Sequence, residues 1–420
     1  MKSSCSSVSF RRSMLCMLFV LVLAEFISFF GTATAVYADT FTVTTTSDDV
    51  SDSGSLRYAI NNATSQDVIT FDLEYPAIIT LSEQLSIDKG LKIQGPGADL
   101  LAVSGGGKCR VFYVESTDEL VDISGIAIVS GDAGSDFGGG GICNLSDNFT
   151  ITSCTFSSNR AGAGGGMFNY GSDSTVMNCT FLSNNSEGPG AGMCNSGSDL
   201  TVTNCTFSSN NSADVGGGMY NQGSSPTMTN CTFSENSAVF GGGGMFNKKS
   251  SPTVTNCTFD SNNSGWQGGG MYNEESSPEV INCIFWNNPG GEIDNSETNS
   301  GFPTLRYCVI QSNDVGEGTI SNDIISADPL LQDLAENGGS TWTCALGEGS
   351  SAIDAGATIA DISTDQRGVD RPQGTSFDIG AYEAELANDE ENGDGCNISA
   401  LSGMVLLLVL PLMLMSGTKK

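Results

Sequence analysis

The 420 residues carry 48 acidic and 16 basic side chains and no histidine, for a formal charge of −32. That balance excludes a nucleic-acid partner, since a phosphate backbone is bound through Lys and Arg, and it favours a soluble, self-repelling surface. The abundance of Gly, Asn, Ser and Thr would by itself indicate disorder, but phased columns of Val, Met, Phe and Cys override that reading.

Residues 1–38 have the pattern of a secretory signal peptide. Lys2, Arg11 and Arg12 form a basic leader, Met14–Phe30 is largely apolar apart from Glu25, and Val36-Tyr37-Ala38 offers cleavage after Ala38. An uncleaved membrane anchor is the other reading, and both export the body of the chain. Residues 39–138 read as an N-terminal cap and the first coils of a solenoid. Phe41–Thr45 is a short strand. Gly54-Ser55-Leu56-Arg57-Tyr58-Ala59-Ile60-Asn61-Asn62 follows as a short amphipathic helix with Ser55 at its N-cap and Leu56, Ala59 and Ile60 on one face. Laid over the first coil, such a helix blocks an open sheet edge. The stretch resembles the "CSLREAI"-type segment of bacterial surface β-helices, with Gly54 in place of Cys and Tyr58 in place of Glu. Strand-like runs at Val68–Phe71, Ile78–Leu81, Leu85–Ile87, Leu91–Gln94, Val111–Val114 and Val121–Val129 continue towards the repeats.

Residues 139–313 repeat about every 26 residues. Each unit has a glycine run, Met-aromatic-Asn, a polar turn, then Val-x-Asn-Cys-Thr-Phe-x-x-Asn. One column is Cys154, Cys179, Cys205, Cys231, Cys257, Cys283 and Cys308; a second is Asn144, Asn169, Asn195, Asn221, Asn247 and Asn273. Cys and the Phe two positions later share a strand face, whereas the apolar residue three before Cys breaks that parity. A bend at the intervening Asn178, Asn204, Asn230, Asn256 and Asn282 restores it, so that both strands point inward. The period lacks a helical stripe, and each unit buries its apolar face only against its neighbours. The expected fold is all-β: a single-stranded right-handed parallel β-helix whose seven repeats at roughly 4.8 Å span on the order of 34 Å. Gly-Gly-Gly-Met-Phe-Asn followed by Phe-x-x-Asn resembles the paired motifs of polymorphic outer-membrane protein repeats, and more widely bacterial pectin-lyase-like surface β-helices.

After Cys308 the rhythm stops. Asp328-Pro329-Leu330-Leu331, Asn337–Thr341, Ser351–Gly356, Asp365-Gln366-Arg367-Gly368, Arg371-Pro372 and Asp378-Ile379-Gly380-Ala381-Tyr382-Glu383 make residues 314–383 a turn-rich C-terminal cap. The series resembles the choice-of-anchor module that follows such β-helices; Arg367 and Arg371 beside Asp365 and Asp378 read as ion pairs within it. An acidic linker covers 384–395. Residues 396–420 hold an apolar run, Leu401–Met415, ending in Lys419-Lys420. With Gly395-Cys396-Asn397 ahead of it, this order resembles a Synergist-type C-terminal sorting segment, which implies membrane retention during export and display at the cell surface; a plain tail anchor is the other reading.

The cysteine column reads as a buried apolar stack, because side chains ranked along a rod neither converge on a metal nor orient well for disulfides. The asparagine column reads as turn-stabilising hydrogen bonds. Neither a cofactor nor a metal is expected. Catalysis has thin material: between Gly139 and Leu305 the only basic residues are Arg160, Lys248 and Lys249, and Glu187, Glu235, Asp260, Glu274 and Glu275 lie on different coils. Tyr220, Tyr272, Trp266 and Trp286 suggest a sugar-stacking strip, although Phe168 and Phe246 in the same column argue for packing. The Asp48–Asp52 loop offers acidic groups to calcium without an ordered ligand spacing. The resulting expectation is a monomeric, non-enzymatic surface rod of adhesin-like or envelope-structural role, binding glycan or a host or matrix protein through its loops. The alternative is a carbohydrate-active β-helix enzyme, a polysaccharide lyase or glycosidase. An autotransporter passenger is disfavoured because no series of barrel strands follows.

Overall fold

Two short strands that both face one core need a sharp bend between them, and here a single residue makes it. In the computed structural model, Asn178, Asn204, Asn230, Asn256 and Asn282 sit at φ between 50° and 54°, with Ser153 and Tyr307 in the same place in the flanking coils. Asn tolerates this left-handed conformation better than most residues. A second left-handed residue follows each Phe by two positions, at Ser158, Ser183, Ser209, Glu235, Ser261 and Asn287. The repeat pattern had indicated only the first bend. The structure describes residues 38–385 except 136–137, 172–173, 297–300 and 318. The leader 1–37, the motif Gly395, Cys396 and Asn397, and the run Leu401–Met415 lie outside the described residues. The chain divides into two units after Ala384. Among the described residues no helix is long and apolar enough to cross a membrane.

The central coils are divided among three parallel sheets. Thr201–Thr203 and Thr206–Ser208, on either side of Asn204, belong to a creased 21-stranded sheet; Asn211–Ser212 belongs to a 5-stranded sheet and Met219–Gln222 to a 9-stranded one. Register is strict: Phe181 pairs with Phe207, Phe207 with Phe233, and Met219 with Met245. The result is the expected parallel β-helix, now seen to include coils from Thr40 onward. At its start, helix α1 (Leu56–Asn62) is capped by the Ser55 side chain, which accepts from Tyr58 N, and buries Leu56, Ala59 and Ile60. Its Arg57, also buried, pairs with Asp48 at 2.9 Å and donates to the carbonyls of Glu83 and Gln84.

Inside, like stacks on like. Rings from Phe156 to Phe285 are 4.5 to 4.7 Å apart and within 6° of parallel. Cys154, Cys179, Cys205, Cys231, Cys257, Cys283 and Cys308 lie buried beside them as free thiols. Each Sγ donates to the carbonyl two residues earlier, as Cys205 does to Thr203 at 3.2 Å. The glycine runs fit close approach: a Cβ on Gly218 would stand 2.5 Å from the Gly244 carbonyl and 2.8 Å from the Phe233 ring.

Two buried asparagine ladders bind coil to coil. Asn144, Asn169, Asn195, Asn221, Asn247 and Asn273 are fully buried or nearly so, and amide–amide bonds join Asn144 to Asn169 (2.7 Å) and Asn247 to Asn273 (3.0 Å). The Asn of Phe-x-x-Asn forms the other ladder, Asn159, Asn184, Asn210, Asn236, Asn262 and Asn288. Each side chain donates to the next Asn at 2.8–3.0 Å and to a carbonyl of the preceding coil. This ladder ends on Glu292, which is buried and accepts from the Asn288 amide at 2.5 Å.

The segment after Cys308, expected as a turn-rich cap, runs back over the coils. It adds one more strand, Ile320–Ile325, then folds back as a strap along the outer flank of the coils. The strap runs as far as the Asn204 coil: Thr341 Oγ1 donates to Asn204 O (3.0 Å), Thr206 Oγ1 to Trp342 O (2.6 Å), and Thr232 Oγ1 to Gln366 Oε1 (2.7 Å). Ala381 N donates to Thr258 Oγ1, and Asn282 exchanges two hydrogen bonds with the Ala357 backbone. Below these, Ile284 and Val309 pack on Ala352 and Ile379. The flank accepts the strap because the residue after each Cys, which points outward, is an uncharged Thr, Ile or Val. Sequence periodicity reports the inward side chains and leaves that column unread.

The strap has its own polar core. Arg371, buried, pairs with Glu383 at 2.9 Å and donates to the carbonyls of Asp378 and Gly380. Arg367 pairs with Asp365 and lies 3.6 Å from the Tyr382 ring centroid. Arg371→Met would leave Glu383 buried without its partner, a loss of roughly 3–5 kcal/mol. Limited proteolysis of that variant is expected to cut within 327–384 while the coils stay intact; a wild-type digestion pattern would contradict this role.

Burial pushes the Glu292 carboxyl up from its ordinary 4.5 to about 7. A group with a raised folded pKa binds more protons when folded, so its stabilising contribution is full below about pH 4.5 and is lost as pH rises through about 7. Relative to Glu292→Gln, the wild type is expected to lose roughly 3 kcal/mol between those limits. Denaturant midpoints of the two proteins at pH 5 and pH 8 measure it; parallel pH dependences would contradict it.

Candidate binding face

The aromatic side chains suggested by sequence do not form one strip. Tyr220 and Tyr272 point outward from the 9-stranded sheet in a column with Phe168, Cys194 and Phe246. Tyr220 and Phe246 are buried there, and successive rings of Tyr220, Phe246 and Tyr272 tilt against one another at 5.7 and 4.9 Å. This column packs under the loops of its own coils. Trp286 lies elsewhere, on the creased sheet, against the apolar base of the strap.

Trp266 is different: it is 67% exposed, and it is joined by Phe240 at 53% and Val239 at 48%. Phe240 and Trp266 each stand two residues ahead of a positive-φ glycine, Gly242 and Gly268, so they occupy the same place on successive coils. Two aromatic side chains exposed at one place on successive coils, with Val239 beside Phe240 in the chain, are the candidate contact surface of this flank. Sequence reasoning had Trp266 but missed Phe240; their shared position ahead of the glycine runs was the available signal.

The carboxylates divide into two groups. Glu187 pairs with Arg160, Glu274 with Lys248 at 3.0 Å and Glu275 with Lys249 at 3.8 Å. These are exposed or half-exposed pairs on neighbouring coils, and each contributes little to stability. Glu235 and Asp260, in contrast, are brought together by adjacent coils, since Ser234 pairs with Asp260 in register. Asp333 of the strap faces them, and burial, reinforced by Glu235 and Asp333, pushes the Asp260 carboxyl up. The different chain positions of these three hid the grouping, because the strap supplies one of them.

Other candidates serve the fold. In the Asp48–Asp52 loop, Asp48 holds Arg57 and Ser82, Asp49 accepts from Ser51, and Asp52 from Thr45 and Gly54. Among the described residues no group of three or more Cys, Asp or Glu is placed to hold a metal ion. Ala38, at the expected cleavage point, is exposed.

Residues 89–247 match the family described as the right handed beta helix region. No curated protein matches the chain. Among solved structures it is similar to ORF18 of Geobacillus virus E2, at 16% identity and a TM-score of 0.45 over 77% of this chain; it spans 63% of that protein's length. It is also similar to pectate lyase Pel9A, at 14% identity and a TM-score of 0.45 over 83% of this chain and 97% of that one. By its coordinates and this family match, the protein is a right-handed parallel β-helix.

Proposed function

We propose that this protein is exported, sorted through its C-terminal segment and displayed at the cell surface, where it acts as an adhesin-like rod that binds a glycan through its loop flank. The observation that carries this reading is the exposed Phe240–Trp266 pair, one coil apart in a single column of loops. Aromatic faces can pack against the apolar faces of sugar rings, and neighbouring Ser and Asn side chains supply hydrogen bonds. The basic leader, the strongly acidic surface and the Gly395-Cys396-Asn397 motif ahead of an apolar run support the address. Contact with a host or matrix protein through the same pair is the alternative partner.

One observation favours the second reading, a carbohydrate-active enzyme: the grouping of Glu235, Asp260 and Asp333. Glycoside hydrolysis uses two carboxyl groups whose environments push their pKa values apart, and Asp260 is the one raised here.

Full-length protein applied to a glycan array, with bound material and released products both read by mass spectrometry, separates these readings. Retention without cleavage is expected, and Trp266→Ala should weaken it by at least about tenfold. Released oligosaccharide that disappears in Asp260→Asn would overturn the binding reading in favour of the enzyme.

A further inference from the structure

The strap leaves part of its docking track empty. Between Asn204 and Asn282, the bend residues Asn230 and Asn282 and the outward Thr206, Thr232 and Thr258 hold the strap by hydrogen bonds to its backbone or to the Gln366 amide, and the Asn204 carbonyl accepts from the Thr341 hydroxyl. The same two columns continue towards the N-terminal coils as Asn178, Thr180 and Thr155, in register with the residues that hold the strap. There they line a cleft of about 370 Å³, bounded by the Gly97-Ala98-Asp99 turn and by Glu336 and Ser340 at the tip of the strap. Thr206, Thr232 and Thr258 are buried beneath the strap, whereas Thr155, Asn178 and Thr180 are half-exposed.

We infer that this cleft binds an extended basic peptide segment of a partner protein, in the mode by which the neighbouring coils bind the strap. The internal precedent sets the backbone chemistry. Asn282 donates to Ala357 O at 2.7 Å and accepts from Ala357 N at 2.9 Å, as a strand neighbour would, and Asn178 presents the same amide one column position away from the strap's end. The hydroxyls of Thr155 and Thr180 take the place of Thr206, which donates to a strap carbonyl. Charge sets the side-chain preference: Asp99 and Glu336 stand on opposite rims and no Lys or Arg lines the cleft, so a cationic side chain is favoured and an acidic one repelled. This site lies on the creased sheet and is independent of the Phe240–Trp266 pair.

The test uses full-length protein and a short Lys- and Gln-containing peptide bearing a photo-crosslinker, with a Glu-for-Lys peptide and a neutral oligosaccharide as comparisons. Any basic peptide is attracted to a chain of charge −32, so the deciding variant is the uncharged Thr155→Val/Thr180→Val. It is expected to weaken binding at least about tenfold through two lost hydrogen bonds, with an unchanged melting temperature. Asp99→Asn/Glu336→Gln should weaken it too, and crosslinks should map to 153–180 and 336–340. Binding undiminished in the threonine variant, crosslinks elsewhere, equal binding of the acidic peptide, or displacement by the oligosaccharide alone would each overturn the proposal.

Discussion

Everything in this molecule depends on keeping each coil in register with the next. A one-residue slip in a parallel stack would turn every inward side chain outward. Two devices prevent it. Left-handed bends at Asn204 and its equivalents fix where the strands turn, and the buried amide ladders penalise misalignment, because a slipped Asn would lose its partners inside the core. The Phe, Cys and Met stacks, with columns of Val, Ile and Leu, then supply the apolar burial. The asparagines specify the arrangement, and the apolar columns stabilise it.

That division explains what the sequence made legible. Cysteine, phenylalanine and asparagine recur at a fixed spacing because each coil repeats the same inward demands, so fold, period and first bend could be read from a single chain. The second bend was hidden because Ser, Glu and Asn all occupy it. The strap was hidden for another reason: its contacts depend on outward residues such as Thr206, Thr232 and Thr258, which look like ordinary polar surface in a strand pattern. Gln366, which reaches the Thr206 and Thr232 hydroxyls from more than a hundred residues away, has no local signature at all.

The same limit applies to the candidate sites. Trp266 stood out by residue type, whereas Phe240 was marked only by its matching place two residues ahead of a glycine in the run. Coil stacking brings Glu235 beside Asp260, and Asp333 joins them only through the strap. The departures from the repeat are two aromatic loop residues, one folded-back segment and the uncovered end of its track, and the proposed contacts rest on them.

Native-state hydrogen exchange on the full-length protein tests the central claim most directly: the coils form one in-register stack on which the strap docks as a structured element. Amides of the coils between 142 and 310 should open together at the lowest rate. Those of the strap, such as Asn282-bound Ala357 and Thr258-bound Ala381, should be protected and released in a separate, faster step. Strap amides exchanging as in a free chain, or coils opening independently of one another, would contradict it.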